Sequence, residues 1–225
     1  MRPESSLLPI VVWSSARRRA VTAGLLALAV SLAGCTAAQR AGESPSYLII
    51  DSLTAASGAK PQDFSNVLAS DVLTYVKATG GGGQQVETPT IFADPAAVAF
   101  RLALKDPGSP DNPTTPSTTN AITVSRYHVD FERADGRNQP GVDVPYSFDG
   151  AFTATVTDSG ASATFTLVRL QAKEEAPLKA LVGEGGANTI STIAHVTFYG
   201  ADQAGREVTV SGAIAVNFAD WGDPE

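Results

Sequence analysis

Five carboxylates crowd one stretch of the chain: Asp130, Glu132 and Asp135 near one turn, Asp143 and Asp149 near the next. Two acids facing one cleft, about 5–9.5 Å apart, can cleave a glycosidic bond. Several oxygens converging on a point can instead hold calcium. The D-x-D-x-D-G spacing of an EF-hand loop is missing, so the preferred reading is solvated turn carboxylates, with calcium next in line. The two histidines, His128 and His195, fall inside strand-like patterns. Zinc needs three or four ligands, and neither H-x-x-x-H nor H-E-x-x-H occurs, so both histidines are expected on a solvated or edge face of a sheet. No G-x-S-x-G elbow marks a nucleophilic serine. The glycine runs at 80–83 (GGGG) and 183–186 (GEGG) lack a following Gly-Lys-Ser/Thr and read as loops rather than phosphate cradles. No catalytic residue, metal site or cofactor is assigned. The segment 133–150 (RADGRNQPGVDVPYSFDG) sets Tyr146 and Phe148 beside Asp143 and Asp149. It reads as a structured connection pinned by aromatics, with a ligand-facing loop as the alternative.

The single cysteine, Cys35, excludes an intramolecular disulfide and a thiolate cage. Its surroundings give it a different chemistry. Arg17, Arg18 and Arg19 precede an apolar run at 20–32, and small residues follow. A basic region, a short apolar region and a small-residue cleavage site compose a secretory signal. The run is about 13 residues, whereas a membrane span needs about 20. Leu32-Ala33-Gly34-Cys35 resembles the lipobox of bacterial lipoproteins. That resemblance implies a diacylglyceryl thioether on Cys35, cleavage after Gly34 and acylation of the new amine. Membrane attachment would then run through the lipid on Cys35, on the extracytoplasmic side, with Thr36 favouring an outer membrane where the envelope has two. Residues 7–13 add an apolar patch upstream of the arginines. Either the basic region is long, or translation starts near Val11 or Val12. Residues 1–34 are thus expected to be signal, 35–46 the lipidated cysteine and a polar tether, and 47–225 the body.

The formal charge of the 225-residue chain is −7. Without the signal 12 basic and 22 acidic residues remain, near −10. An acidic body repels phosphate backbones and argues against nucleic acid as a partner.

From Tyr47 onward apolar residues alternate with polar ones, the mark of strands with one buried face. Val98, Phe100, Leu102 and Leu104 form one run; Phe148, Phe152, Ala154 and Val156 a second; Ala163, Phe165 and Leu167 a third. Val208, Val210, Ile214, Val216 and Phe218 form the longest, with threonines and serines between the apolar positions, as a pleated surface prefers. In the run from Ile122 the parity changes, because Val124 is even while Tyr127, Val129 and Phe131 are odd. A bulge near Ser125 or Arg126 reconciles them. Turns at Asp135-Gly136, at 158–160 (DSG) and at 200–205 (GADQAG) predict hairpins. Four prolines at 106–120 predict a long exposed loop. Residues 174–182 (EEAPLKALV) predict a two-turn helix. The sum is an all-β fold: one antiparallel β-sandwich of about seven or eight strands, Ig-like or fibronectin-like, with a closed barrel as the alternative.

The segment 133–150, together with 190–220, resembles exported β-proteins of environmental bacteria, and the last hairpin is similar to the closing strands of Ig-like bacterial domains. The likeness implies no activity and no site residues. Two functions remain in competition. The first is a non-catalytic envelope module, structural or binding a protein or glycan partner, displayed on loops 106–120 and 136–147. The second is an envelope hydrolase, calcium-dependent or not, using loop carboxylates such as Asp143 and Asp149.

Overall fold

The computed structural model describes residues 42–79, 81 and 83–222. The expected signal, Cys35 and most of the tether lie outside these residues. From Glu43 the chain forms one compact unit, and it is all-β apart from short helical turns.

Two sheets carry the core. Strand β1 (Ser46–Ala55), β5 (Asp94–Leu104) and β10 (Ala161–Val168) form a three-stranded antiparallel sheet with β5 in the middle. The five-stranded sheet runs β2–β12–β11–β8–β9, where β2 is Val67–Asp71, β8 Ile122–Glu132, β9 Phe148–Val156, β11 Ile190–Asp202 and β12 Glu207–Ala219. Strands β3 (Thr74–Thr79) and β4 (Gln85–Thr90) make a separate hairpin, and β6 (Gly108–Ser109) with β7 (Asn112–Pro113) a minimal one.

The alternating runs become inward faces. Along β5 every second residue from Asp94 to Leu102 is buried, and along β12 Val208, Ile214, Val216 and Phe218 are buried. The gap in the β12 run has a cause. Gly212 holds the inward place between Val210 and Ile214, where a Cβ would come within 3.0 Å of the Ile50 side chain. The expected bulge is at Ser125: Val124 and Arg126 pair with adjacent residues of β11, Gly200 and Tyr199, which leaves Ser125 as the extra residue. On the other side of β8 the register with β9 also shifts between Val124 and Arg126, the extra residue there lying in β9.

Aromatic rings join the two sheets. Phe100 of β5 meets Phe198 of β11 edge-on with ring centroids 5.0 Å apart, and Phe165 of β10 meets Phe198 at 5.3 Å and Tyr127 of β8 at 4.9 Å. Tyr127 is buried, and its hydroxyl donates to the carbonyl of Thr166 at 3.0 Å, so the largest polar group in this cluster is satisfied across the gap between sheets.

Four expectations need correction. The sheets are not antiparallel throughout, because β2 pairs parallel with β12, Val67 to Asp71 against Ala215 to Ala219. Each paired residue is 148 positions from its partner, so no hairpin turn dictates the strands' relative direction. The turn at 158–160 does not close a ladder between its neighbours: β9 and β10 lie in different sheets, and the turn carries the chain across the core. The helix is displaced, with α1 at Leu170–Glu174 and a 3-10 turn at Leu178–Leu181. Pro177 separates them, since proline has no N–H to give and disfavours helical backbone in the residue before it. Finally, 106–120 contains the β6–β7 hairpin, though its residues are exposed almost throughout.

Candidate functional site

Of the carboxylates singled out from sequence, Asp130, Glu132, Asp135 and Asp149 are exposed and Asp143 is half-buried. Asp135 is gripped by Arg137 and Arg133, each with a guanidinium nitrogen 2.7 Å from Oδ2; these two, Arg137 first, hold its carboxyl well below the ordinary range. Asp149 pairs with Arg126 at 2.6 Å and lies 3.4 Å from His128 Nδ1, while Glu132 lies 3.2 Å from His195 Nε2. Asp130 is exposed opposite His195 in the ladder. Asp143 accepts the backbone N–H of Gln139 at 3.2 Å within its own turn. Both histidines sit on the outer face of the five-stranded sheet, His195 exposed and His128 half-buried. Among the described residues no three His, Cys, Asp or Glu side chains are grouped to hold a metal.

The two loops expected to share a binding surface do not meet. Residues 106–120 lead into the first residue of β8, and 133–147 leave from its last. Eleven residues of strand at about 3.3 Å each put some 35 Å between them. Among the described residues, the clefts beside β2, at the start of β1, along β8–β11–β12 and beside the end of β5 have no lining residue from 133–150.

A different constellation emerges in the core. Asp94 opens β5, Lys173 lies in α1, and Ser70 and Asp71 end β2. The Lys173 ammonium is 2.8 Å from Asp94 Oδ1, with side-chain exposures of 1% and 0%. The Gly58 backbone N–H also donates to Oδ1 at 2.8 Å, and the Ser70 hydroxyl donates to Oδ2 at 2.6 Å. Burial pushes the Asp94 carboxyl up from its ordinary value, against the pull of Lys173, Ser70 and Gly58. Asp71, beside it, accepts from the Thr74 hydroxyl at 2.6 Å and from the Trp221 backbone N–H at 3.0 Å. Its carboxyl is also pushed up by burial, and the charge of Lys173 acts on it in the opposite direction.

A cleft of about 160 Å³ adjoins this cluster, lined by Ser57, Ala59, Lys60, Ala69, Asp71 and Trp221 among others. The Trp221 indole nitrogen is buried without a hydrogen-bond partner. Asp94, Lys173 and Ser70 themselves are closed to solvent. Chemistry at their atoms is therefore chemistry among the protein's own groups.

Sequence reasoning missed this cluster. Lys173 and Asp94 are 79 positions apart, and the segment read as helix began one residue after Lys173. One signal was present: Ser70 stands two positions after Leu68, on the inward side of a strand. A hydroxyl at such a place needs a buried partner.

No family model matches the chain, and no curated protein matches it.

Proposed function

We propose that this protein is a lipid-anchored, non-catalytic module of the bacterial cell envelope, acting by interaction or structural support on the extracytoplasmic side of a membrane. The observation that carries this reading is where the body takes hold of the chain. Glu43 pairs with Lys105 at 2.6 Å, the Lys105 N–H donates to the Pro45 carbonyl at 2.9 Å, and Ser44 is buried. Seven residues, 36–42, separate Cys35 from that attachment. Fully extended, the chain between them reaches at most about 30 Å. A lipid on Cys35 would therefore hold the β1–β5 end of the body near the bilayer, with 106–120 beside it.

The body is read more finely as a single sandwich of Ig-like or fibronectin-like kind. Support comes from the rings of Phe100 and Phe165 meeting those of Phe198, Phe152 and Tyr127 between the two sheets. The outer face of the five-stranded sheet supports an interaction role over a small-molecule one. It is a broad polar surface of side-chain pairs, such as Arg126–Asp149, His195–Glu132 and Thr197–Ser211. Such a surface suits an envelope protein or glycan partner. The rival, a hydrolase on Asp143 and Asp149, has less behind it, since neither acid lines the clefts described above and Asp149 is already paired with Arg126.

Metabolic labelling of producing cells with an alkyne palmitate analogue tests the anchor. Wild type should be tagged and membrane-bound, and Cys35→Ala should be neither. Equal labelling of the two overturns the anchor. Crosslinking in living cells should then recover a reproducible envelope partner, and finding none would count against the interaction role.

A further inference from the structure

The Lys173–Asp94 pair is placed for a reaction as well as for attraction. An ammonium and a carboxylate closed off from water lose hydration that their mutual attraction only partly offsets. Passing one proton from Nζ to the carboxyl leaves an amine and a carboxylic acid, a state that a dry site accommodates better. The amine is then a nucleophile facing an acyl carbon. Nζ is 2.8 Å from Asp94 Oδ1, and Cγ lies one covalent bond beyond that oxygen. Both carboxyl oxygens carry further donors, Gly58 N–H on Oδ1 and the Ser70 hydroxyl on Oδ2. These donors draw electron density from Cγ and stabilise the negative charge that develops when an amine adds to it.

We propose that Lys173 and Asp94 condense to an intramolecular amide, a covalent tie between α1 and the first residue of β5. The Nζ lone pair forms the N–Cγ bond. The ammonium gives up two protons in all, one before the attack and one after it; both end on Oδ2, the carboxyl oxygen bound by Ser70, whose bond to Cγ breaks so that this oxygen leaves as one water. Nothing is oxidised or reduced, and no co-reactant is needed. Held by the fold, the two groups meet at an effective concentration far above any in solution. Exclusion of water protects the amide once it forms.

Asp71 is the second carboxylate within the electrostatic reach of Lys173, and it lines the adjoining cleft. Its carboxyl, raised by burial, accepts a proton more readily than an exposed aspartate. The cleft also gives the leaving water a way out, since Ser57 and Ala59 flank Gly58, and Ala69 and Asp71 flank Ser70, and all four line it. This inference does not rest on the anchor or on the interaction role.

Peptide mapping of full-length protein purified from producing cells tests it. After denaturation and trypsin digestion, peptides 78–101 and 170–179 should be found joined, together lighter by one water than their sum. Cleavage after Lys173 should be lost. Fragment spectra must place the link at Asp94 and Lys173, because the Asp135-Gly136 and Asp149-Gly150 steps can also lose water by closing to a succinimide. A free 78–101 peptide with Lys173 cleaved, or a water loss mapped to either Asp-Gly step alone, overturns the proposal. Lys173→Arg and Asp94→Ala should each abolish the joined species. Wild type decides the matter by itself, so neither variant has to fold.

Discussion

Adding Lys173→Met to Asp94→Ala should make the protein more stable, although each substitution removes a buried group. Asp94→Ala strands the Lys173 ammonium, whose hydrogen bond goes to Asp94 in a site with 1% side-chain exposure. Breaking a buried pair on one side costs about 3–5 kcal/mol, because the surviving charge has neither water nor a partner. The Ser70 hydroxyl and Gly58 N–H also lose their acceptor. Replacing Lys173 with methionine, unbranched and of similar volume, removes the stranded charge while the two orphaned donors remain. The double variant should therefore regain about 3 kcal/mol over Asp94→Ala, or some 6–12 °C in Tm for a body of this size. Lys173→Met alone leaves Asp94 with both other donors and a carboxyl already pushed up by burial, ready to take a proton. It should be the mildest of the three. Urea unfolding at neutral pH, followed by far-UV circular dichroism, reads all three midpoints. None of these variants can form the amide, so the comparison holds whether or not wild type carries it. A double variant no more stable than Asp94→Ala would refute the account of a charge held in a dry core.

Phe198→Ala empties the centre of the ring cluster, where four other aromatic rings lie within 6.4 Å. It should cost about 3–5 kcal/mol in urea unfolding, against less than about 0.5 kcal/mol for Val142→Ala on the exposed surface. Gly150→Ala would place a Cβ 2.2 Å from the Tyr127 ring. The ring must move off its bond to Thr166, with an expected loss of about 1–3 kcal/mol in the same assay. The raised Asp71 carboxyl means that the folded state binds its proton more tightly than the unfolded chain. Its favourable contribution is present below the ordinary aspartate value and is lost as pH rises through the folded value. Asp71→Asn should flatten that part of the stability curve, measured as urea midpoints from about pH 3 to pH 7.

What the sequence reveals of this fold is whatever depends on neighbours. Alternation along Val98, Phe100 and Leu102 is local, and it correctly gives the buried face of β5. The parity change after Val124 is local too, and it locates the bulge at Ser125. Which strands pair is not local. The three-residue turn at 158–160 has the chemistry of a hairpin, yet Phe165 packs on Tyr127 and Phe198 of the opposite sheet while β10 pairs with β5. Turn residues dictate the reversal of the chain, and the ring cluster dictates the sheet it returns to. The candidate site was less legible still. Acidic clusters draw attention in a sequence, but Asp135 and Asp149 are crowded because arginines two and 23 positions away neutralise them on open surface. The groups that share a reactive geometry are one Asp, one Lys and one Ser from three distant elements, none distinctive in its own neighbourhood.

The buried cluster also explains how β2 finds its place. An edge strand that pairs parallel, with no hairpin to align it, is free to slide, and a slip of one residue turns every side chain over. Leu68 alone would accept several positions against the apolar face of β12. Ser70 and Asp71 would not. In the observed register Ser70 points inward to Asp94 Oδ2, while Asp71 turns to Thr74 and the Trp221 backbone. Shifted by one in one direction, the strand would direct Asp71 toward Asp94, two carboxylates in a site with one cation; in the other it would set Ala69 there, and either way Ser70 is left outside without its acceptor. Like charges at close range without water are costly enough to exclude the first arrangement. The Ser70–Asp94 hydrogen bond beside the Lys173–Asp94 pair thus also sets the register of the strand. An amide at that point would fix covalently a junction where α1, β5 of one sheet and β2 of the other already meet through hydrogen bonds.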